Sequence, residues 1–211
     1  MKKKIKKQSK GIKKNKNIQG KTCKQHYKEV FSFIKENRNY VYFALFAFVL
    51  FFIIGLAIPA SAEIVEVIRG IIEQMIARTS GLTTNELIGY IFFNNLLVSF
   101  IAIVFGFIFG IIPFLLSVAN GYILGYVCKL TISAEGLASL WKLLPYGIFE
   151  LVAIFLSLGF GLSLGMGVFH KNPGIEFKRK IILIVKTFFL LIIPLLLLAA
   201  IIEGVLIGLL G

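Results

Sequence analysis

The sequence predicts an all-α polytopic membrane protein with five transmembrane helices, its N-terminus inside and its C-terminus outside. Three observations predict it. The 211 residues are 58% hydrophobic with mean hydropathy +0.89, and only 16% are charged, where soluble domains run to about a quarter. The apolar residues fall into long charge-free stretches, each near the roughly 20 residues that a bilayer core about 30 Å thick demands. The charge is lopsided, with fourteen Lys/Arg and two Glu in residues 1–39 against nine and eight in residues 40–211. The expected organisation is a basic cytoplasmic tail over 1–39 followed by a five-span membrane domain over 40–211.

The first span is expected over 40–59, ending at Pro59. Ala60-Ser61-Ala62 has the look of a signal-peptidase site. However, about eighteen apolar residues behind a thirty-nine-residue leader exceed the 7–15 of a signal h-region, so the span is expected to be retained. From Leu87 to Cys128 there are forty-two residues without a charge, roughly two spans, and Pro113 is the expected turn between spans at 88–110 and 113–132 because proline disfavours helix just before it. A fourth span is expected over 144–169 and a fifth over 181–210, with Pro194 as a kink. Cys23 and Cys128 would lie on opposite sides and form no disulfide framework.

Orientation follows from Lys and Arg, which are in excess on cytoplasmic flanks. With the tail inside, the 170–180 loop is also inside and carries Lys171, Lys178, Arg179 and Lys180, while the outer segments hold only Arg69, Arg78, Lys129 and Lys142. Tyr40 and Tyr42 then sit at the inner boundary and Trp141 at the outer one.

Two amphipathic helices are expected on the surface. Tyr27, Val30, Phe31 and Ile34 recur at helical spacing in the tail, suited to the inner headgroups. In the outer segment 62–81, Ile64, Val67, Ile68, Ile71, Ile72 and Met75 make a stripe opposite Glu63, Glu66, Glu73 and Arg69, which could rest on lipid, on the spans or on a partner. The nine lysines among the first sixteen residues have no aromatic among residues 1–20 to stack on bases. Anionic lipid is therefore the expected contact of the tail, with topology as its role and no specific nucleic acid.

Polar side chains inside spans are costly, so they normally face the bundle interior and pair. Asn94 (beside Asn95), Asn120, Glu150 and Glu203 occur one in each of the last four spans, each roughly 12 Å below the outer boundary at about 1.5 Å per residue. They are expected to form one layer, either as interhelical glue or as a site where two carboxyls share a proton or hold a cation. The same four spans carry glycines four apart, Gly106/Gly110, Gly121/Gly125, Gly161/Gly165 and Gly204/Gly208, which allow close helix approach. The expectation is a tight four-helix core with the first span peripheral.

Asn94-Asn95, Asn120-Gly121-x-x-x-Gly125, Leu144-Pro145-Tyr146-Gly147-Ile148-Phe149-Glu150-Leu151 and Glu203, in that order, resemble the stage II sporulation protein M family over about residues 25 to 210. The family usually has Pro-His-Gly in the fourth span. Here Pro145, Tyr146 and Gly147 put a phenol where the imidazole would be, which retains hydrogen bonding but not histidine's proton transfer. The resemblance implies five spans and, as in spore-forming bacteria, a non-catalytic membrane subunit that helps assemble peptidoglycan-cutting partners, in a family that also extends to organisms that do not sporulate.

Catalysis is not expected. The chain has no aspartate, no phosphate-binding glycine loop and no HExxH, and its two histidines, His26 and His170, flank the spans on the cytoplasmic side. No catalytic residue, metal or cofactor is assigned. The main expectation is a multi-pass scaffold or accessory subunit of the cell membrane, with lipid and unidentified protein partners and room for self-association. The alternative is a small transporter or channel built on the Glu/Asn layer.

Overall fold

The computed structural model describes residues 23–169 and 173–210. The tail before residue 23, His170 and Lys171 lie outside the described residues, as do the side chains of Trp141, Pro145 and Tyr146. The described residues are helical with no strand, and five helices are long and apolar enough to cross a membrane.

Helix α1 runs unbroken from Cys23–Ala57. No glycine or proline lies between residues 23 and 54, so nothing separates the expected surface helix from the first span. At about 1.5 Å per residue the helix is roughly 52 Å long, and its basic third extends beyond a hydrocarbon core of about 30 Å. That extension docks on protein. Val30, Phe33 and Asn37 are buried, whereas Tyr27 is 40% and Phe31 58% exposed, so the buried face is rotated from the predicted stripe. Phe33 packs on Phe160 with ring centroids 5.0 Å apart.

Helix α2 (Ala62–Thr79) starts at Ser61, whose hydroxyl accepts from the Ile64 N–H, a standard way to satisfy an orphan donor. The Ser61 hydroxyl and the Glu63 backbone N–H hold the exposed Glu63 carboxyl below the usual carboxylate range. A turn through Gly81 leads to α3 (Thr84–Val104), where the Glu86 carboxylate accepts from the Thr83 N–H at 2.8 Å in a capping box.

The α3–α4 connection differs from the expected turn at Pro113. A 3-10 turn over Phe105–Phe107 is followed by Phe109 and Gly110 at φ 50° and 71°, a left-handed reversal that glycine makes without strain. Pro113 is instead the third residue of α4 (Ile111–Glu135), where a missing N–H breaks no helical bond. Helix α5 (Leu144–Met166) follows a 3-10 stretch at Leu137–Leu143.

The helix of the fifth span starts before the expected span. It comprises α6 (Pro173–Thr187), a π turn at Phe188–Ile192 and α7 (Ile193–Leu210). The expected kink at Pro194 takes the form of that π turn, because a proline cannot donate back to the preceding turn and the ladder shifts to Ile193 N–H bonding Phe188 C=O.

Helix α5 is wedged between two helix pairs, α1 with α4 and α3 with α7, while α6 closes against α1 and α5. Its residues 153–165 are buried throughout. Contrary to expectation, the first span belongs to the core. A Cβ on Gly121 or Gly125 would fall under 3.0 Å from the Phe48 or Phe52 carbonyl, and one on Gly55 would meet the Tyr122 carbonyl. At Phe48 and Phe52 the glycine is on α4 and meets α1 backbone, and at Gly55 the roles reverse, so the approach needs no small residue opposite each glycine. The Ser117 hydroxyl completes the seam by donating to the Ala44 carbonyl at 2.7 Å. Gly106 and Gly110 do not form a helix-packing pair; they let the reversal close on Gly161 and Gly165. Gly204 and Gly208 admit Ile88 and Thr84 of α3.

Candidate functional site

The predicted polar residues meet. Asn94 and Asn95 from α3, Asn120 from α4, Glu150 from α5 and Glu203 from α7 line one cavity of about 420 Å³. Helical register brings them there. Leu87, Ile91 and Asn94/Asn95 follow at i, i+4 and i+7/i+8 on α3, and Glu203 and Ile207 stand one turn apart on α7. Helix α2 contributes Met75, Ile76, Thr79 and, just past its end, Ser80 to the lining, so the connector borders the cavity rather than leaving it bare.

The two asparagines differ. Asn95 is 8% exposed and hydrogen-bonds the Glu150 side chain, whereas Asn94 is exposed. Asn120 donates to the Leu116 carbonyl of its own helix at 2.8 Å, which anchors its amide. Glu150 and Glu203 are close enough to interact electrostatically. No Lys or Arg lines the cavity among the described residues. The arrangement is rich in acceptor oxygen and poor in fixed cations, so it suits a shared proton or a small cation as well as interhelical hydrogen bonding. Backbone places Gly147 one turn from Glu150 on α5, and a Cβ there would meet nothing within 4 Å.

A second polar cluster, unassigned from sequence, joins α1, α5 and α6 at the other end of the bundle. Lys180 is 4% exposed. Its Nζ donates to the Ser163 carbonyl at 2.9 Å and hydroxyl at 2.8 Å, and lies 5.8 Å from the Tyr40 ring centroid. The Ser163 hydroxyl in turn donates to Asn37 Oδ1, and Asn37 Nδ2 donates to the Phe33 carbonyl at 2.9 Å. Arg179 bridges Glu36 and Glu176, and Lys186 pairs with Glu29. The available signal was the face Lys180, Ile184, Thr187 at i, i+4 and i+7, all buried; counting Lys180 only as a loop charge concealed it. These contacts hold the basic extension and the 173–187 helix at one end of the molecule.

A family model described as Stage II sporulation protein M matches residues 42–206. That range contains Asn94, Asn95, Asn120, Glu150 and Glu203 of the cavity but not Phe33, Asn37 or Tyr40. No curated protein and no solved structure matches.

Proposed function

The chain belongs to the stage II sporulation protein M family, and from that premise we propose that this multi-pass membrane protein is a non-catalytic accessory subunit that organises partner proteins at the cytoplasmic membrane. The observation that carries this reading is the uncovered apolar face of α2. Of its stripe only Ile68 is buried, while Ile64 is 41%, Val67 63% and Ile71 43% exposed. The same helix carries Glu63, Glu66 and Glu73 against Arg69 and Arg78, so it has no net positive charge to draw it to an anionic lipid surface, and a protein is the favoured cover. In this reading the basic end faces the cytoplasm and α2 lies outside, in keeping with the excess of Lys and Arg at that end. A photo-reactive residue at Val67, activated in cells, is expected to give a discrete protein adduct; adducts with lipid alone would sink the scaffold reading.

One observation favours a second reading, a proton- or cation-coupled transporter: Glu150 and Glu203 converge on a cavity rather than a packed seam. Proteoliposomes provide the test. Flux above that of empty vesicles, lost in Glu150→Gln and Glu203→Gln, supports it, and flux equal to empty vesicles removes it.

A further inference from the structure

An apolar groove of about 410 Å³ lies at the basic end, between the end of α3 and the face of α6 with its π turn. Val104 and Phe107 form one wall, Phe177, Ile181 and Val185 the other, and Phe188 its deep end. Phe177 and Phe188 are eleven residues apart, about 16 Å along a helix. Half of a hydrocarbon core about 30 Å thick is about 15 Å. The groove therefore spans one leaflet and stops near the bilayer centre, whereas a partner transmembrane helix would need a seam running the full thickness. The π turn contributes to this shape by presenting the successive residues Phe188 and Phe189 to the same groove.

Charge is matched to the mouth. In the basic run on α6, Arg179 is engaged by Glu36 and Glu176, and Lys180 is buried against Ser163. Lys178 is exposed, adjoins Phe177 and makes no ion pair among the described residues. It precedes Val185 by seven residues and Phe189 by eleven, which places it on the groove side of α6 at the level where a headgroup meets the core. A cation at that depth attracts anionic headgroups.

We propose that the groove is a binding site for one acyl chain of an anionic phospholipid whose phosphate is held by Lys178. It is separate from the Glu/Asn cavity and independent of how the protein's role is read.

The full-length protein, purified from a bilayer containing phosphatidylglycerol and phosphatidylcholine in equal amounts, is examined by native mass spectrometry. The wild type is expected to retain one phosphatidylglycerol in preference to phosphatidylcholine by about fivefold, as one basic residue near the membrane surface implies. Lys178→Gln should still retain a lipid but lose the preference, and Val185→Trp, which fills the groove, should retain neither. Because every variant keeps the basic tail, a preference arising there survives Lys178→Gln and overturns the proposal. So does full lipid retention in Val185→Trp, or a co-purified protein in place of lipid. If Val185→Trp does not fold, Val104→Trp fills the groove from the opposite wall, and the Lys178→Gln result decides alone.

Discussion

The Lys180 ammonium donates to the Ser163 hydroxyl at 2.8 Å, joining α6 to α5 inside a bundle where neither group meets water. Ser163 also donates to Asn37, so one hydroxyl links three helices. Removing it leaves the Lys180 ammonium and the Asn37 carbonyl each short of a partner, which costs about 1–3 kcal/mol. Ser163→Ala is expected to lower stability by that amount in denaturant unfolding from micelles. Lys180→Met keeps the Ser163–Asn37 bond and removes the charge that needs compensation, so its loss should be smaller. A Ser163→Ala protein as stable as wild type would refute the assigned role of the cluster.

The α1–α4 seam depends on the absence of a side chain at Gly125, where a Cβ would fall under 3.0 Å from the Phe52 backbone. Backbone cannot swing aside as a flexible side chain can. Gly125→Ala should destabilise by about 1–3 kcal/mol. Gly70 in α2, where an added Cβ meets nothing within 4 Å, serves as the control, and Gly70→Ala should stabilise by up to about 1 kcal/mol through helix propensity. The comparison is read from thermal melts of the two variants, and equal effects at both positions would contradict the close approach.

Ser99 is fully buried in α3, and its hydroxyl has no hydrogen-bond partner among the described groups. Such a group adds desolvation cost without return. Ser99→Ala is expected to be neutral or to stabilise by about 1 kcal/mol in the same unfolding measurement, and a loss beyond about 1 kcal/mol would mean that the hydroxyl has a partner.

The two thiols report topology. Cys23 is exposed at the start of α1 and Cys128 is buried in α4. With the basic end inside, a membrane-impermeant maleimide should label neither in intact cells, Cys23 after permeabilisation, and Cys128 only after denaturation. Labelling of Cys23 in intact cells would invert the orientation.

The exposed Arg179–Glu36 pair should contribute little. Both side chains are more than two-fifths exposed, and solvent and salt screen such pairs to about 0–1 kcal/mol. Glu36→Gln is expected to change the melting temperature by no more than a few degrees, less still at high salt; a large loss would show that the pair, rather than Phe33 and Val30, docks the extension.

Composition and periodicity alone pointed to five membrane spans, to the second and third folding back on each other, and to Asn94, Asn95, Asn120, Glu150 and Glu203 meeting in one layer. Those properties are one-dimensional: the span length, the cost of a charge in hydrocarbon and the rise per residue are properties of position along the chain. Tertiary structure decided which helices share a seam and which face of each is inward. Gly121 and Gly125 announce a close approach without naming its partner, and that partner proved to be the phenylalanine-rich α1 because the contact is with backbone carbonyls, whose exposure no residue type encodes. The buried face of the basic extension was fixed in the same way. Val30, Phe33 and Asn37 turn inward because α5 and α6 offer Phe160, Ser163 and Lys180 there, and a long-range match of this kind exists only once the three helices are side by side.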